Sequence, residues 1–396
     1  METHNWNEHE CPVCGSKQVL TFLELSDMPV QDGVVYDSEA AAKQSPVGDI
    51  NLAICQNCLY IGNRTYDSSK IHFTEYNYSQ HHSPKYQHYI KSLVSDLSES
   101  YHLRNKTVVD VGCGKGYFLN ELCKGGQNRG FGIDPSYKVT AEVSVDQENL
   151  TFIKDFYSEK YAYINGDFVS CRHVIDELEW PKRFVSPLKG ALRENEDSLV
   201  FLELPNGLTT FKKELFWNIG YAKRSWFTPA SLSTFIQYCG FQVVHVKELF
   251  DDQYLGIVGK INFSNSAPDS IAGEVLSEMN TLLKKFADNF KNEIEHWEKK
   301  IETLEGANEQ IIIWGAGMRG LNFLNKFANK KVIPAIVDIN PNRQGKYLPG
   351  SGYRIDSIDL LKTIKPDKIL ISNPTYEKEI KTQAAAMGLT STFYNL

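Results

Sequence analysis

The stretch Thr107-Val-Val-Asp-Val-Gly-Cys-Gly-Lys-Gly-Tyr-Phe118 carries the most specific chemistry in the chain. Val108, Val109 and Val111 read as a buried strand, and Phe118, Leu119 and Leu122 begin a helix. Between them Gly112, Gly114 and Gly116 permit a tight turn whose bare backbone can approach a ligand closely. Asp110 stands two residues before the first glycine, at the strand end. A carboxylate there repels a pyrophosphate but can order the turn and a cationic ligand. The next strand, Gly130-Phe-Gly-Ile-Asp-Pro135, ends in Asp134, about 20 residues on, where a ribose-binding carboxylate belongs.

A second chemistry lies upstream. Cys11-Pro-Val-Cys14 and Cys55-Gln-Asn-Cys58 are separated by 40 residues, and each pair can set two thiolates on a tight knuckle. Together Cys11, Cys14, Cys55 and Cys58 make a tetrahedral Zn2+ site. Four thiolates leave no open position, so such an ion is structural. The intervening Leu20 to Leu25 and Asn51 to Ile54 read as short strands stapled by the metal.

Residues 70 to 90 concentrate rings and hydroxyls, among them Phe73, Tyr76, Tyr78, His81, His82, Tyr86 and Tyr89. A segment of this composition either lines a polar pocket or packs between two modules.

These groups need a scaffold. At 396 residues the chain has room for two or three cores. Its formal charge of −7 without a long basic run argues against a general nucleic-acid binder. Nowhere do 18 apolar residues run together, so the expectation is a soluble, cytoplasmic protein without membrane contact. From about 85 to 262 helix and strand patterns alternate, as an open α/β sheet requires. Leu150 to Tyr157 is a third strand that delivers Asp155 and Phe156, an adenine edge acceptor and its ring neighbour. Phe168 to Cys171 is a fourth, with His173 turning off its end, and Ser198 to Pro205, which contains Glu203, is a fifth. Ligands of open sheets sit beyond the carboxyl ends of the strands, so Gly112, Asp134, Asp155, His173 and Glu203 are expected on one rim. From Ile271 to Leu304 apolar residues recur at helical spacing for roughly nine turns, predicting one long helix against the body of the protein. A second unit then opens, with Gly315-Ala-Gly317-Met-Arg-Gly320 between a strand and a helix and Asp338 at the end of the next strand. It satisfies the context of a Rossmann-type half and either binds a nucleotide or serves as scaffold. The expected division is a zinc module over 1–70, a cofactor-binding α/β domain over 71–265, a linking helix over 266–305 and a second Rossmann-like domain over 306–396.

The turn Asp110-Val-Gly-Cys-Gly114 resembles the first motif of class I S-adenosylmethionine methyltransferases. In order along the chain, the two Cys pairs, Tyr76-Asn-Tyr-Ser79, that turn, Cys171-Arg-His-Val174, Glu203-Leu-Pro-Asn206, Gly315-Ala-Gly317 and Val337-Asp-Ile-Asn-Pro341 are similar to the three-domain C-methyltransferases of deoxysugar biosynthesis. Gly345-Lys-Tyr-Leu-Pro-Gly350 and Asn373-Pro-Thr-Tyr376 also fit. The resemblance covers nearly the whole chain. It implies S-adenosylmethionine as cofactor, with Asp110, Gly112, Cys113, Gly114, Asp134, Asp155, Phe156 and His173 around it, and a nucleotide-linked 4-ketohexose as small-molecule substrate.

One departure stands out. The family reads Tyr-Glu-His before an aromatic and Phe-Thr, the histidine or its neighbour removing the sugar C3 proton. This chain reads Tyr221-Ala222-Lys223 ahead of Trp226-Phe-Thr228. A C–H beside a ketone must still lose its proton before the carbon can attack a methyl group. Tyr76, His81, Tyr221 and Lys223 are therefore the expected catalytic set, with Tyr78 and His82 as further candidates. The alternatives are an oxygen or nitrogen acceptor, or a homologue that binds the cofactor without catalysis.

Overall fold

The computed structural model describes residues 6, 10–72, 80–138, 148–194, 196–264, 268, 271–328 and 330–396. Tyr76 and Tyr78, named above, lie outside the described residues. The described residues fold around three sheets. Strands β1 (Val19–Pro29), β2 (Val47–Cys55) and β3 (Ile61–Asn63) form an antiparallel meander. It begins beside the knuckle at Cys11, where Gly15 N donates to Cys11 O at 2.9 Å and Gly15 takes φ 77°.

The central sheet is built from β4 (Thr107–Val111), β5 (Arg129–Ile133), β6 (Leu150–Ile153), β7 (Phe168–Arg172) and β8 (Leu199–Pro205), all parallel. β6 stops at Ile153, two residues short of the Asp155 that the sequence pattern placed on it. A two-residue strand β9 (Ser225–Trp226) then leaves this domain and pairs with β3, Ile61 opposite Trp226. That pairing hands the segment after Lys223 to the N-terminal sheet. β10 (Phe241–Leu249) and β11 (Tyr254–Ile261) return antiparallel, giving the order β10-β11-β8-β7-β4-β5-β6. Strand order reverses beside β4, with β5 on one flank and β7 on the other. That switch point opens the crevice in which open α/β sheets hold their ligands.

The helix Gly273–Gly306 runs 34 residues, about 51 Å at 1.5 Å per residue. Its first half buries Met279, Leu283, Phe286 and Phe290 in the core under the N-terminal sheet, where Ile50, Leu52 and Phe211 meet it. Its second half gives Trp297, Ile301 and Leu304 to the C-terminal core. One apolar stripe thus serves two modules. Strands β12 (Ile311–Trp314), β13 (Ile336–Asp338), β14 (Ile355–Ser357), β15 (Lys368–Ile371) and β16 (Thr392–Asn395) form an all-parallel sheet in the order β14-β13-β12-β15-β16.

Contacts across the modules are specific. Glu379 Oε2 accepts from Ser83 Oγ at 2.7 Å and from Lys85 N at 3.1 Å, so a C-terminal carboxylate sits at the start of the central helix Pro84–Ser100. A negative charge there complements the unpaired amides of the first turn. Asn322 Nδ2 donates to the carbonyls of Trp217 and Ile219 at 3.0 and 2.9 Å.

Candidate active site

A cavity of about 1830 Å³ runs from the turn after β4 to the turn after β12. At the first end, the three glycines do different work. A Cβ on Gly112 would meet Val174 Cγ2 at 2.2 Å, and one on Gly116 would meet Phe152 Cε1 at 2.5 Å. A Cβ on Gly114 would meet nothing within 4 Å among the described residues. The outer two therefore permit close packing, and the middle one presents open backbone to the cavity. All three have positive φ, at 75°, 54° and 81° in chain order, which only glycine adopts without strain.

Asp134 is tied into this turn. Its Oδ2 accepts from Gly114 N at 2.8 Å, and its Oδ1 accepts from Ser136 N at 2.7 Å and Ser136 Oγ at 2.6 Å. Asp110 is 2% exposed and accepts from Ser170 Oγ at 2.7 Å. Burial pushes its carboxyl up to about 6, and the Ser170 hydrogen bond offsets only part of that. Both acids, with Gly112, Cys113, Gly114, Phe156 and His173, line the cavity. A cofactor carrying positive charge, a ribose and an adenine fits this donor set.

Asp155 does not join them. Its carboxylate is held by Lys160 and by Tyr161 Oη, and by Phe156 N at 2.8 Å. The Lys160 bond, ahead of Tyr161, keeps it down at about 2. The expectation fails because β6 ends early and the chain turns Asp155 toward Lys160, leaving only Phe156, 58% exposed, on the cavity wall.

Beside the cofactor end lies a buried charge cluster. Glu203 is fully buried, with Arg172 Nη2 at 2.8 Å and His173 Nε2 at 2.7 Å from Oε1, while Tyr89 Oη donates to Oε2 at 2.6 Å. Burial alone would raise the Glu203 carboxyl, but Arg172 and then His173 override it and hold it at about 2. His173 has φ 55°, an uncommon conformation for a residue with a Cβ. His173 lines the cavity, whereas Glu203 sits behind it rather than on the rim.

Of the expected catalytic residues, His81 and Lys223 line the cavity. Tyr221 does not. It is 1% exposed, its ring stacks on Tyr66 at 5.6 Å, and its hydroxyl accepts from Asp67 N at 2.8 Å and donates to Thr65 O at 3.3 Å. The side of the ring lies where a Cβ on Gly48 would be, 2.3 Å away. Tyr221 is thus a strut under the N-terminal sheet.

Lys223 faces two acids that the sequence reading did not single out. Asp176 and Asp32, 2% and 7% exposed, line the same cavity. Burial lowers the Lys223 ammonium and raises both carboxyls; Lys223 attracts each acid, while the two acids repel one another. Asp176 follows β7 at its carboxyl end, so the rule of strand ends was a usable signal. Asp32 arrives from the N-terminal module by tertiary folding alone, and nothing local marks it. Across the cavity, Gln80 Oε1 accepts from Tyr254 Oη at 2.9 Å and from Tyr376 Oη, joining the central domain to the C-terminal one.

Away from the cavity, the Sγ atoms of Cys11, Cys14, Cys55 and Cys58 all lie within 4.8 Å of one another. Cys11 and Cys58 are 3.6 Å apart, as are Cys14 and Cys55. Four sulfurs at about 2.3 Å from a tetrahedral ion stand about 3.8 Å apart, so the donor set fits. The other four cysteines are also free thiols.

The comparisons agree along the chain. The family described as "Methyltransferase domain" matches residues 80–246, and "C-methyltransferase C-terminal domain" matches 268–392. A protein described as "C-methyltransferase NovU", from Streptomyces niveus, is 22% identical over 391 residues, covering 94% of this chain and 91% of its own. Among solved structures, magnesium protoporphyrin IX methyltransferase (ChlM) from Synechocystis PCC 6803 with bound SAH is 20% identical, covers 44% of this chain and 83% of its own, and has a TM-score of 0.33. A putative S-adenosylmethionine dependent methyltransferase from Listeria monocytogenes is 14% identical, covers 45% and 96%, and has a TM-score of 0.33. With the cofactor turn, the two matched domains in tandem and a relative aligned over most of both chains, this chain is an S-adenosylmethionine-dependent methyltransferase whose second half matches a C-methyltransferase C-terminal domain.

Proposed function

We propose that this enzyme methylates a carbon of a nucleotide-linked 4-ketohexose, holding cofactor and acceptor in one continuous cavity. The observation that carries this reading is the reach of that cavity. At about 1830 Å³ it exceeds the roughly 300–1,000 Å³ of a single small-molecule site, leaving room for an acceptor of nucleotide size beside the cofactor. Its walls include the cofactor turn at Gly112 and Gly114 and the C-terminal turn at Gly317. Lys213, Arg319, Lys378 and Lys381 also line it and supply the positive charge that a diphosphate needs. The name of the Streptomyces niveus relative supports carbon as the accepting atom.

Asp110, Gly112, Cys113, Gly114, Asp134, Phe156 and His173 are assigned to the cofactor, and His81 and Lys223 to the acceptor. S-adenosylmethionine brings a methyl group already activated on a sulfonium. The residues of the chain align the acceptor with it, exclude water and move one proton. The four-cysteine cluster is assigned a structural Zn2+, because its tetrahedral thiolate set leaves no position for a substrate. The division at 70, 265 and 305 is retained as the working domain map.

One observation favours transfer to oxygen or nitrogen instead: Ala222 and Lys223 stand where the resemblance implies glutamate and histidine. The deciding experiment incubates the full chain with a panel of nucleoside-diphosphate 4-ketohexoses and cofactor labelled with 13C in its methyl group. Carbon chemical shifts separate C-methyl from O-methyl and N-methyl products. A label on oxygen or nitrogen overturns the carbon reading, and no transfer to any member overturns the sugar-nucleotide reading.

A further inference from the structure

We propose that Asp176 is the base that removes the acceptor's proton and that Lys223 holds the enolate oxygen so formed. The inference rests on the carbon-methylation reading above and names the residues that replace the missing Glu-His pair.

Asp176 lies in the single helical turn Ile175–Glu177, directly after β7 at the carboxyl end of the central sheet. The same turn carries Val174, whose Cγ2 would lie 2.2 Å from a Cβ on Gly112, so Asp176 follows two residues behind the wall of the cofactor turn. Its side chain lines the cavity at 2% exposure, and among the described residues its Oδ1 has no hydrogen-bond partner. A buried carboxylate oxygen left idle costs stability unless a ligand or a proton uses it. Arg224 N donates to Asp176 O at 2.6 Å, which anchors the chain at Lys223 beside that carboxylate.

The charges facing the pair come from several elements. Asp176 faces Lys223 and His173, and Lys223 faces Asp176, Asp32, Arg319 and Glu177. Asp32 Oδ1 likewise has no hydrogen-bond partner among the described residues. It enters from the N-terminal module with its carbonyl bound by Arg343 Nη2 at 3.0 Å, and acts as a second counter-charge to Lys223. Burial makes the Asp176 carboxylate more basic than an exposed one, which suits proton abstraction.

The Asp176 carboxylate takes the proton from the carbon next to the ketone, and the C–H electron pair becomes that of the enolate, whose oxygen Lys223 Nζ holds. The enolate carbon then bonds to the methyl carbon as the sulfur departs with the old C–S pair. The proton leaves Asp176 to solvent after product release.

The test reads hydrogen exchange without transfer. Full-length enzyme is incubated in heavy water with the same nucleoside-diphosphate 4-ketohexoses, and S-adenosylhomocysteine replaces the methyl donor. The wild type introduces deuterium beside the ketone. Asp176→Asn lowers that rate about a hundredfold or more, the scale of a lost general base, while affinity for S-adenosylhomocysteine stays within threefold or so. Exchange by this variant within about fivefold of wild type overturns the proposal and leaves the carbon reading standing. If the amide variant does not bind S-adenosylhomocysteine, Asp176→Ala with added formate decides: rescue of exchange supports the assignment and absence of rescue overturns it. No exchange by the wild type overturns the carbon reading and this proposal with it.

Discussion

The carboxylate of Asp134 accepts the amide of Gly114 at 2.8 Å, so the acid that ends β5 builds the glycine turn that ends β4. The C-terminal sheet repeats the device, with Asp338 Oδ2 accepting from Ala316 N at 2.7 Å. In both places the acid after the second strand is spent partly on the loop of the first. Asp134 also lines the cavity, so there shaping the turn and facing the cavity fall to one side chain.

Asp134→Ala is accordingly expected to weaken S-adenosylmethionine binding by about 2 to 3 kcal/mol, since it removes a charged acceptor and releases Gly114. The released turn also lowers thermal stability, an effect that a residue acting only on ligand would not have. Calorimetry with S-adenosylhomocysteine, beside a melting curve of the free protein, checks both. Unchanged affinity removes Asp134 from the site.

Asp110 gives a pH dependence whose sign is fixed. Its folded carboxyl is raised by burial from 3.8 to about 6. The unfolded chain therefore ionises first, and folding stability falls as pH rises from about 4 to 6, by roughly 3 kcal/mol in all. A cationic cofactor prefers the ionised form. Its affinity is thus expected to fall by up to about tenfold per pH unit as pH drops below about 6. Asp110→Asn should flatten the profile, and titrations between pH 5 and 8 would show a slope that survives the substitution if Asp110 is not its source.

The central sheet and the thiolate cluster were legible because their signals are local: an apolar strand running into glycines, and cysteines three positions apart. Lys223 with its two acids was not. Asp32 lies 191 positions before Lys223 and on another module, and the pairing of β9 with β3, with the Tyr221 hydroxyl bonded at Thr65 and Asp67, holds the Lys223 segment to that module. Tyr221 misled for the converse reason. A phenol in a motif reads the same whether its hydroxyl faces a cavity or, as here, the main chain at Thr65 and Asp67.

Metal removal should reach further than the N-terminal module. Cys11, Cys55 and Cys58 share one buried cluster with Tyr60 and Phe227 and, through it, with Val109, Val111 and Leu202 of the central sheet. The purified chain is expected to carry about one zinc, and replacing Cys58 by serine should lower a single cooperative melting transition rather than create an early one. Elemental analysis and calorimetric scans provide the check. An early, separate transition with the main one unmoved would show that the modules are uncoupled.

The Arg172–Glu203 pair is buried on both sides. Glu203→Gln leaves the Arg172 cation without its counter-charge, which is expected to cost about 3 to 5 kcal/mol. Because the folded Glu203 carboxyl is held at about 2, below its ordinary 4.5, its contribution is complete above pH 4.5 and is lost as pH falls through 2. The deficit of the variant should therefore shrink in acid, as urea titrations at pH 7 and pH 3 would reveal.

Tyr221 separates the motif from the geometry. Were its hydroxyl to act on the acceptor, Tyr221→Phe would cut turnover by the factor of a hundred or more that follows loss of an acid or base. The structure assigns the hydroxyl to Asp67 N and Thr65 O, at 2.8 and 3.3 Å, beneath the N-terminal sheet. Removing it strands a buried amide and a carbonyl, worth about 1 to 3 kcal/mol of stability, and leaves the cavity wall unchanged. The expected variant melts several degrees lower yet keeps its kcat within about threefold once measured below its transition. A folded variant of wild-type stability with turnover lost would return Tyr221 to the acceptor and require the cavity to open toward Gly48.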